Sequence, residues 1–111
     1  YHAAEKLDRD QGVSARVIGL PWLNRVDRDW LRETVAGVER VVTLDNHYID
    51  GGQGQMLGSR IAQLGLAVPV TSIGVRELPV CGTNDEVLAY HQLDVTGLTS
   101  AVVDALGEKT P

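Results

Sequence analysis

The chain contains no phenylalanine and only one cysteine, and its acidic side chains outnumber the basic ones fifteen to ten. The single thiol, Cys81, cannot close a disulfide within the chain, so a reducing, cytoplasmic setting is expected. A net charge of −5, with both signs interspersed, leaves no basic stripe, which argues against a nucleic-acid partner. No apolar run approaches the ~20 residues that span a bilayer, and nothing at the start reads as a secretory signal. No membrane partner is expected. The missing phenylalanine, and eight arginines against two lysines, reflect coding preference as readily as function and exclude nothing. What remains is an apolar fraction of 43 % in 111 residues, enough for one ordinary domain with a small core.

Periodicity divides the chain into alternating elements. Ala3, Ala4 and Leu7 give Tyr1–Gln11 a helical apolar face, with Gly12 suited to the left-handed closing position and Val13 able to return onto Leu7. Ala15–Leu20 (ARVIGL) has strand length and β-branched residues at its centre, and Pro21 stops it. Asp27 caps a helix to about Ala36, stapled by Val26 and Leu31, with Leu31, Val35 and Val38 facing the core and Gly37 closing it. Arg40–Asp45 reads as a second strand. A helix carrying Leu57, Ile61 and Leu64 follows, ending at Gly65 with Leu66 folding back. Val68–Val75 is the third strand. Thr83-Asn84-Asp85-Glu86 forms a capping box for a helix to about Gln92, and Asp94 caps a last helix with Leu98, Val102 and Ala105 on its face.

The order helix, strand, helix, strand, helix, strand, helix, helix predicts an open, mostly parallel α/β sheet with helices on both faces. A doubly wound domain should begin on a strand, and this chain opens on a helix. The expectation is therefore a domain over residues 1–106 whose first strand is missing from the chain, with a polar, frayed tail at 107–111.

The stretch DNHYIDGGQGQML (residues 45–57) concentrates the candidate chemistry. A dinucleotide fingerprint needs G-x-G-x-x-G tight against the strand end, and here Gly52 and Gly54 lack the third glycine at the required place. No lysine follows, so this is not a phosphate-binding P-loop either. Gly51, Gly52 and Gly54 read first as a bend permitting a close helix–sheet approach, with a weak anion site on their N–H groups, beside His47, as the functional alternative. His47 stands two residues beyond the predicted strand end, near Asp45, Tyr48 and Asp50, without a nucleophile in an obvious arrangement. His2, His47 and His91 with one cysteine give no metal-ligand spacing, and no cation adjoins Cys81 to activate it. Trp22 and Trp30 flank the Pro21 turn; Trp22, and Tyr48 beyond it, are the candidates for a partner interface. No catalytic, cofactor-binding or metal-ligating residue is assigned.

Three runs carry a family resemblance: ARVIGLPWLNRVDRDWL, VERVVTLDNHYIDGGQGQMLGSRIAQLG and VPVTSIGVRELPVCGTNDEVLAYHQLDVTGLTSAV. Over Ala3–Leu106 the chain resembles the C-terminal domain of the transketolase family, most specifically in D-N-H-Y-I-D-G-G-Q-G and in C-G-T-N-D-E-V-L followed by Q-L-D-x-x-G-L. The resemblance implies a largely parallel α/β sheet with one antiparallel edge strand. It implies a parent enzyme that transfers two-carbon ketol units with thiamine diphosphate and magnesium, both held by other domains. This domain would then be inactive alone, serving dimer assembly and anion or effector binding, with the rest of the enzyme and a second copy as partners. The chain departs from the family in lacking its opening strand, in placing Asp45 where glutamate is usual, and in Leu78-Pro79-Val80 where many relatives carry an aromatic. Two other readings stay open: a free-standing nucleotide- or anion-binding module, and the matching domain of a 2-oxo acid dehydrogenase first component.

Overall fold

The computed structural model describes residues 1–22, 24–78 and 80–107, so the expectations for Leu23, for Pro79 and for the tail beyond Gly107 lie outside the described residues. Two compact units emerge, one formed by residues 1–20 with 80–107 and the other by residues 21–78.

In the first unit, α1 (His2–Gln11) ends where the sequence says it must. Gly12 adopts φ 65°, a left-handed conformation that costs glycine little, and Val13 N–H donates to the Leu7 carbonyl at 3.2 Å. Helix α4 (Asn84–Tyr90) starts on the capping box: Glu86 N–H donates to Thr83 Oγ1 at 3.3 Å, and that hydroxyl donates to Glu86 Oε1 at 2.9 Å. Helix α5 (Val95–Gly107) packs on α1, and Leu7, Thr99 and Ala105 are buried in this unit. The turn between α4 and α5 explains the spacing in Q-L-D-x-x-G. Gln92 has φ 59°, Leu93 is buried, and Asp94 Oδ1 accepts from Gly97 N–H at 2.9 Å. A Cβ on Gly97 would run into the Gln92 carbonyl oxygen, so only glycine lets the helix start this close to the turn.

The second unit holds α2 (Arg28–Val35), β1 (Val41–Tyr48), α3 (Gln53–Gln63) and β2 (Val70–Val75). Asp27 caps α2 through Trp30 N–H at 2.8 Å, and Leu31 and Val35 are buried. The strands run parallel, from Val41 opposite Val70 to Leu44 opposite Ile73. An irregularity then carries Tyr48 opposite Val75, and Ile49 N–H donates to the Val75 carbonyl at 3.1 Å. Parallel neighbours need a crossover, which α3 supplies; Gly54, Leu57 and Ile61 are its buried positions. Gly65 closes α3 at φ 68°, with Leu66 N–H on the Ile61 carbonyl at 3.2 Å.

The chain is α/β with parallel pairing, as its alternating elements imply, but the described order is α-α-β-α-β-α-α. Ala15–Leu20 is not a strand. Its β-branched residues prefer extended backbone, yet among the described residues no neighbour forms a ladder with it, and Val17 and Ile18 are exposed. The strand read as Arg40–Asp45 runs on to Tyr48, because pairing with Val75 outweighs the poor strand preference of Asp45, Asn46 and His47. His47 therefore lies within the strand. Val38, expected in the core, is exposed, since Gly37 (φ 73°) turns the chain away after α2.

Candidate functional site

Helix α3 begins with a deficit. Its N-cap is Gly52, which has no side chain to accept from the orphan N–H groups of the first turn. Asp45 on β1 makes good the lack from across the turn. Its side chain is buried, Oδ1 accepts from Gln53 N–H at 3.0 Å and Oδ2 from Gly54 N–H at 3.1 Å. A carboxylate suits the positive end of a helix, and buried oxygens cost free energy unless they are hydrogen-bonded, so each group resolves the other's problem.

The remaining amides of the glycine cluster also have partners. Gly51 N–H donates to Gln55 Oε1 at 2.8 Å, and Gly52 N–H to the Ile49 carbonyl at 3.0 Å. Gln55 Nε2 in turn donates to Asp50 Oδ1 at 3.2 Å. The consecutive N–H groups from Gly51 to Gly54 are thus all engaged inside the chain. An external phosphate here would have to displace the Asp45 carboxylate.

The glycines do steric work. A Cβ on Gly52 would lie 2.8 Å from Asp45 Oδ2 and 3.0 Å from the Tyr48 carbonyl oxygen. One on Gly54 would collide with Thr43 Oγ1 and lie 3.0 Å from Ser72 Oγ. Those two hydroxyls are bonded to each other across β1 and β2 at 3.0 Å. The small residues let α3 descend onto the strands far enough for Asp45 to reach its amides.

His47 faces acceptors with both ring nitrogens: Nδ1 lies 3.0 Å from the Tyr48 carbonyl oxygen and Nε2 lies 3.5 Å from Asp45 Oδ1. It is half-exposed and has no nucleophile among these contacts. The interface candidates both reach the surface, Trp22 at 54 % and Tyr48 at 45 % exposure, and Trp30 is not a core residue either. Trp22 is held from two sides. Its carbonyl accepts from Gln53 Nε2 at 2.7 Å, and the Arg25 guanidinium sits 3.9 Å above its ring, a cation–π contact of about 0.5–1 kcal/mol. The first residue of α3 therefore joins the Trp22 segment to the Asp45 cap.

Of the other candidates, His2 pairs with Glu5 on the surface of α1, His91 ends α4 and Cys81 is exposed. Among the described residues no group of three or more His, Cys, Asp or Glu side chains could hold a metal ion, and no helix is long and apolar enough to cross a membrane. A shallow open depression at the start of α2 is lined by Val26, Asp27, Arg28, Asp29 and Arg32, but Asp27 is spent on its cap and Arg32 faces Asp29 at 3.9 Å.

The sequence marks Asp45 as a neighbour of His47, as the end of the predicted strand and as a departure from the glutamate usual in the family, but not as a helix cap, and it does not single out Gln53, Thr43 or Ser72. One signal is available for Asp45: a helix whose cap is glycine needs an acceptor from elsewhere, and an acid stands at the end of the preceding strand.

The chain has relatives among known proteins. The family model described as the transketolase C-terminal domain matches residues 1–107. A 1-deoxy-D-xylulose-5-phosphate synthase of Thiobacillus denitrificans is 33 % identical over 105 residues, covering 94 % of this chain and 16 % of the synthase. One of the subunits of an apulose-4-phosphate transketolase from Phocaeicola vulgatus is 29 % identical over 107 residues, 94 % of this chain and 34 % of that polypeptide. A split-gene transketolase, solved as an inactive beta4 tetramer, superposes with a TM-score of 0.80 at 28 % identity, over 97 % of this chain and 34 % of that one. The chain thus spans about a third or less of the length of these relatives.

Proposed function

We propose that this chain, which belongs to the transketolase C-terminal domain family, serves as the non-catalytic assembly domain of a thiamine-diphosphate-dependent, transketolase-like enzyme. The whole enzyme transfers two-carbon ketol units in the cytoplasm, and this domain joins its other domains and a second copy of itself. One observation carries the reading. The turn that most resembles a ligand cradle is closed by the chain's own Asp45, which takes the place an anion would occupy. The anion or effector role first suggested for Gly51, Gly52, Gly54 and His47 becomes a structural one.

Thiamine diphosphate and magnesium do not fit the residues present. A diphosphate would need the engaged amides, and among the described residues no carboxylate or imidazole cluster could take its cation. No chemical step is assigned to this chain. Trp22 and Tyr48 are its contact residues toward the rest of the enzyme, large aromatics exposed on segments whose backbone meets the start of α3. The names of the relatives point the same way, since one is a transketolase subunit and another comes from a split gene.

The purified chain, given thiamine diphosphate, magnesium, a ketose phosphate donor and an aldose phosphate acceptor, is expected to form no product above the uncatalysed background. Saturable ketol transfer by the chain alone would overturn the proposal.

A further inference from the structure

The turn between β1 and α3 contains the one Asp–Gly bond of the chain, Asp50–Gly51, and none of the three asparagines precedes a glycine. That dipeptide carries a chemistry of its own. The nitrogen of the following residue can attack the aspartate side-chain carbon and close a five-membered ring, and glycine, with no Cβ, hinders the approach least. Here one side chain holds both reacting groups. Gly51 N–H donates to Gln55 Oε1 at 2.8 Å, and Gln55 Nε2 donates to Asp50 Oδ1 at 3.2 Å. A side-chain amide has an acceptor and a donor at one end, and Gln55 spends them on the two partners of the ring closure. The turn is closed as well: Gly52 N–H donates to the Ile49 carbonyl at 3.0 Å, with Gly51 at φ 75°. Ring closure must break the Gln55 contacts and aim the Gly51 nitrogen at the Asp50 carboxyl carbon, so the folded geometry is far from one poised to react.

We propose that Asp50–Gly51 is the chain's site of spontaneous aspartate isomerisation, and that Gln55 holds the reaction in check in the folded state. The Gly51 nitrogen forms a bond to the Asp50 side-chain carboxyl carbon. Its proton and the carboxyl OH leave as one water, giving a cyclic imide. Water then opens the ring at either carbonyl: one opening restores aspartate, and the other leaves isoaspartate, with the main chain running through the former side chain. One water leaves and one returns, nothing is oxidised or reduced, and the mass is unchanged. The product has an extra carbon in the main chain between Ile49 and Gly52. It cannot keep the turn that sets the Gln53 and Gly54 amides on Asp45, so the modification strikes the cap of α3. This lability is independent of the assembly role.

Ageing the chain for weeks at neutral pH and physiological temperature tests it, with isoaspartate at position 50 read by peptide separation and electron-transfer fragmentation. Two hydrogen bonds must be given up, so the folded parent should accumulate isoaspartate about tenfold or more slowly than the same chain in urea. Folded Gln55→Ala should lose most of that protection. Gln55→Glu keeps an acceptor for Gly51 N–H and loses the donor to Asp50, so its rate should lie between parent and Gln55→Ala. Hydrogen exchange at Gln53 and Gly54 should stay slow in both variants, because Asp45 still holds those amides. Equal rates in folded and unfolded parent overturn the proposal, as does a rate in either Gln55 variant no higher than the parent's. Isomerisation found at other aspartates and not at Asp50 overturns it too. So does an acceleration accompanied by lost protection at Gln53 and Gly54, since the whole turn would then be what holds the bond.

Discussion

Gly54→Ala is expected to destabilise the chain by about 2 kcal/mol, although alanine is the better helix former. Helix propensity favours the substitution by ~1 kcal/mol, but overpacking a close contact costs ~3 kcal/mol at its upper end. The overlap is with Thr43 Oγ1, on a β-branched side chain in a strand, and Ser72 Oγ and Thr43 Cβ are only 3.0 and 3.1 Å from the new atom. Neither neighbour is the free end of a flexible side chain, so α3 must lift away from the sheet. Urea unfolding followed by tryptophan fluorescence would read the loss as a lower midpoint at unchanged slope. The double variant Gly54→Ala with Thr43→Ala should recover part of it. A single variant as stable as the parent would show that the close approach is not required.

Asp45→Ala is expected to cost about 2–4 kcal/mol, because two N–H groups lose their acceptor at once and each unsatisfied buried donor costs ~1–3 kcal/mol. Its side-chain oxygens accept from Gln53 and Gly54 and also face His47 Nε2, so the change uncaps α3 and loosens the turn together. Asp45→Asn keeps one acceptor oxygen and should lose less. Hydrogen exchange localises the effect: Gln53 and Gly54 amides should exchange faster in Asp45→Ala even under conditions where Leu7 and the α1 amides are unaffected. Unchanged exchange at Gln53 and Gly54 would mean that the carboxylate does not hold them.

Local rules are enough to read the helix ends. Gly12, Gly65, Asp27, Thr83 and Asp94 each act over a few residues, and such contacts depend on little beyond neighbouring sequence. Ala15–Leu20 misleads for the opposite reason. Strand formation needs a hydrogen-bonding neighbour, and β-branched composition reports only readiness for one. The far end of β1 is hidden because Asp45, Asn46 and His47 are weak strand formers, while the partner residues at the end of β2 lie well along the chain, beyond the whole of α3. The same separation hides the Thr43–Ser72 hydroxyl pair and the reason Gly54 must be small. The glycine cluster is legible as a bend; that the bend carries its own anion is signalled only by a glycine cap that needs an acceptor from elsewhere, since spacing alone does not define the fold that brings Asp45 to it.

The most direct measurement is a titration of the chain with inorganic phosphate and then ATP, following the backbone amide resonances of Gly51, Gly52, Gln53 and Gly54. With Asp45, Gln55 and Ile49 already on those groups, only small, linear, unsaturating shifts are predicted through the millimolar range. Saturable shifts at these amides with micromolar affinity, lost in Gly52→Val, would show that the turn grips a ligand and contradict a structural role for it.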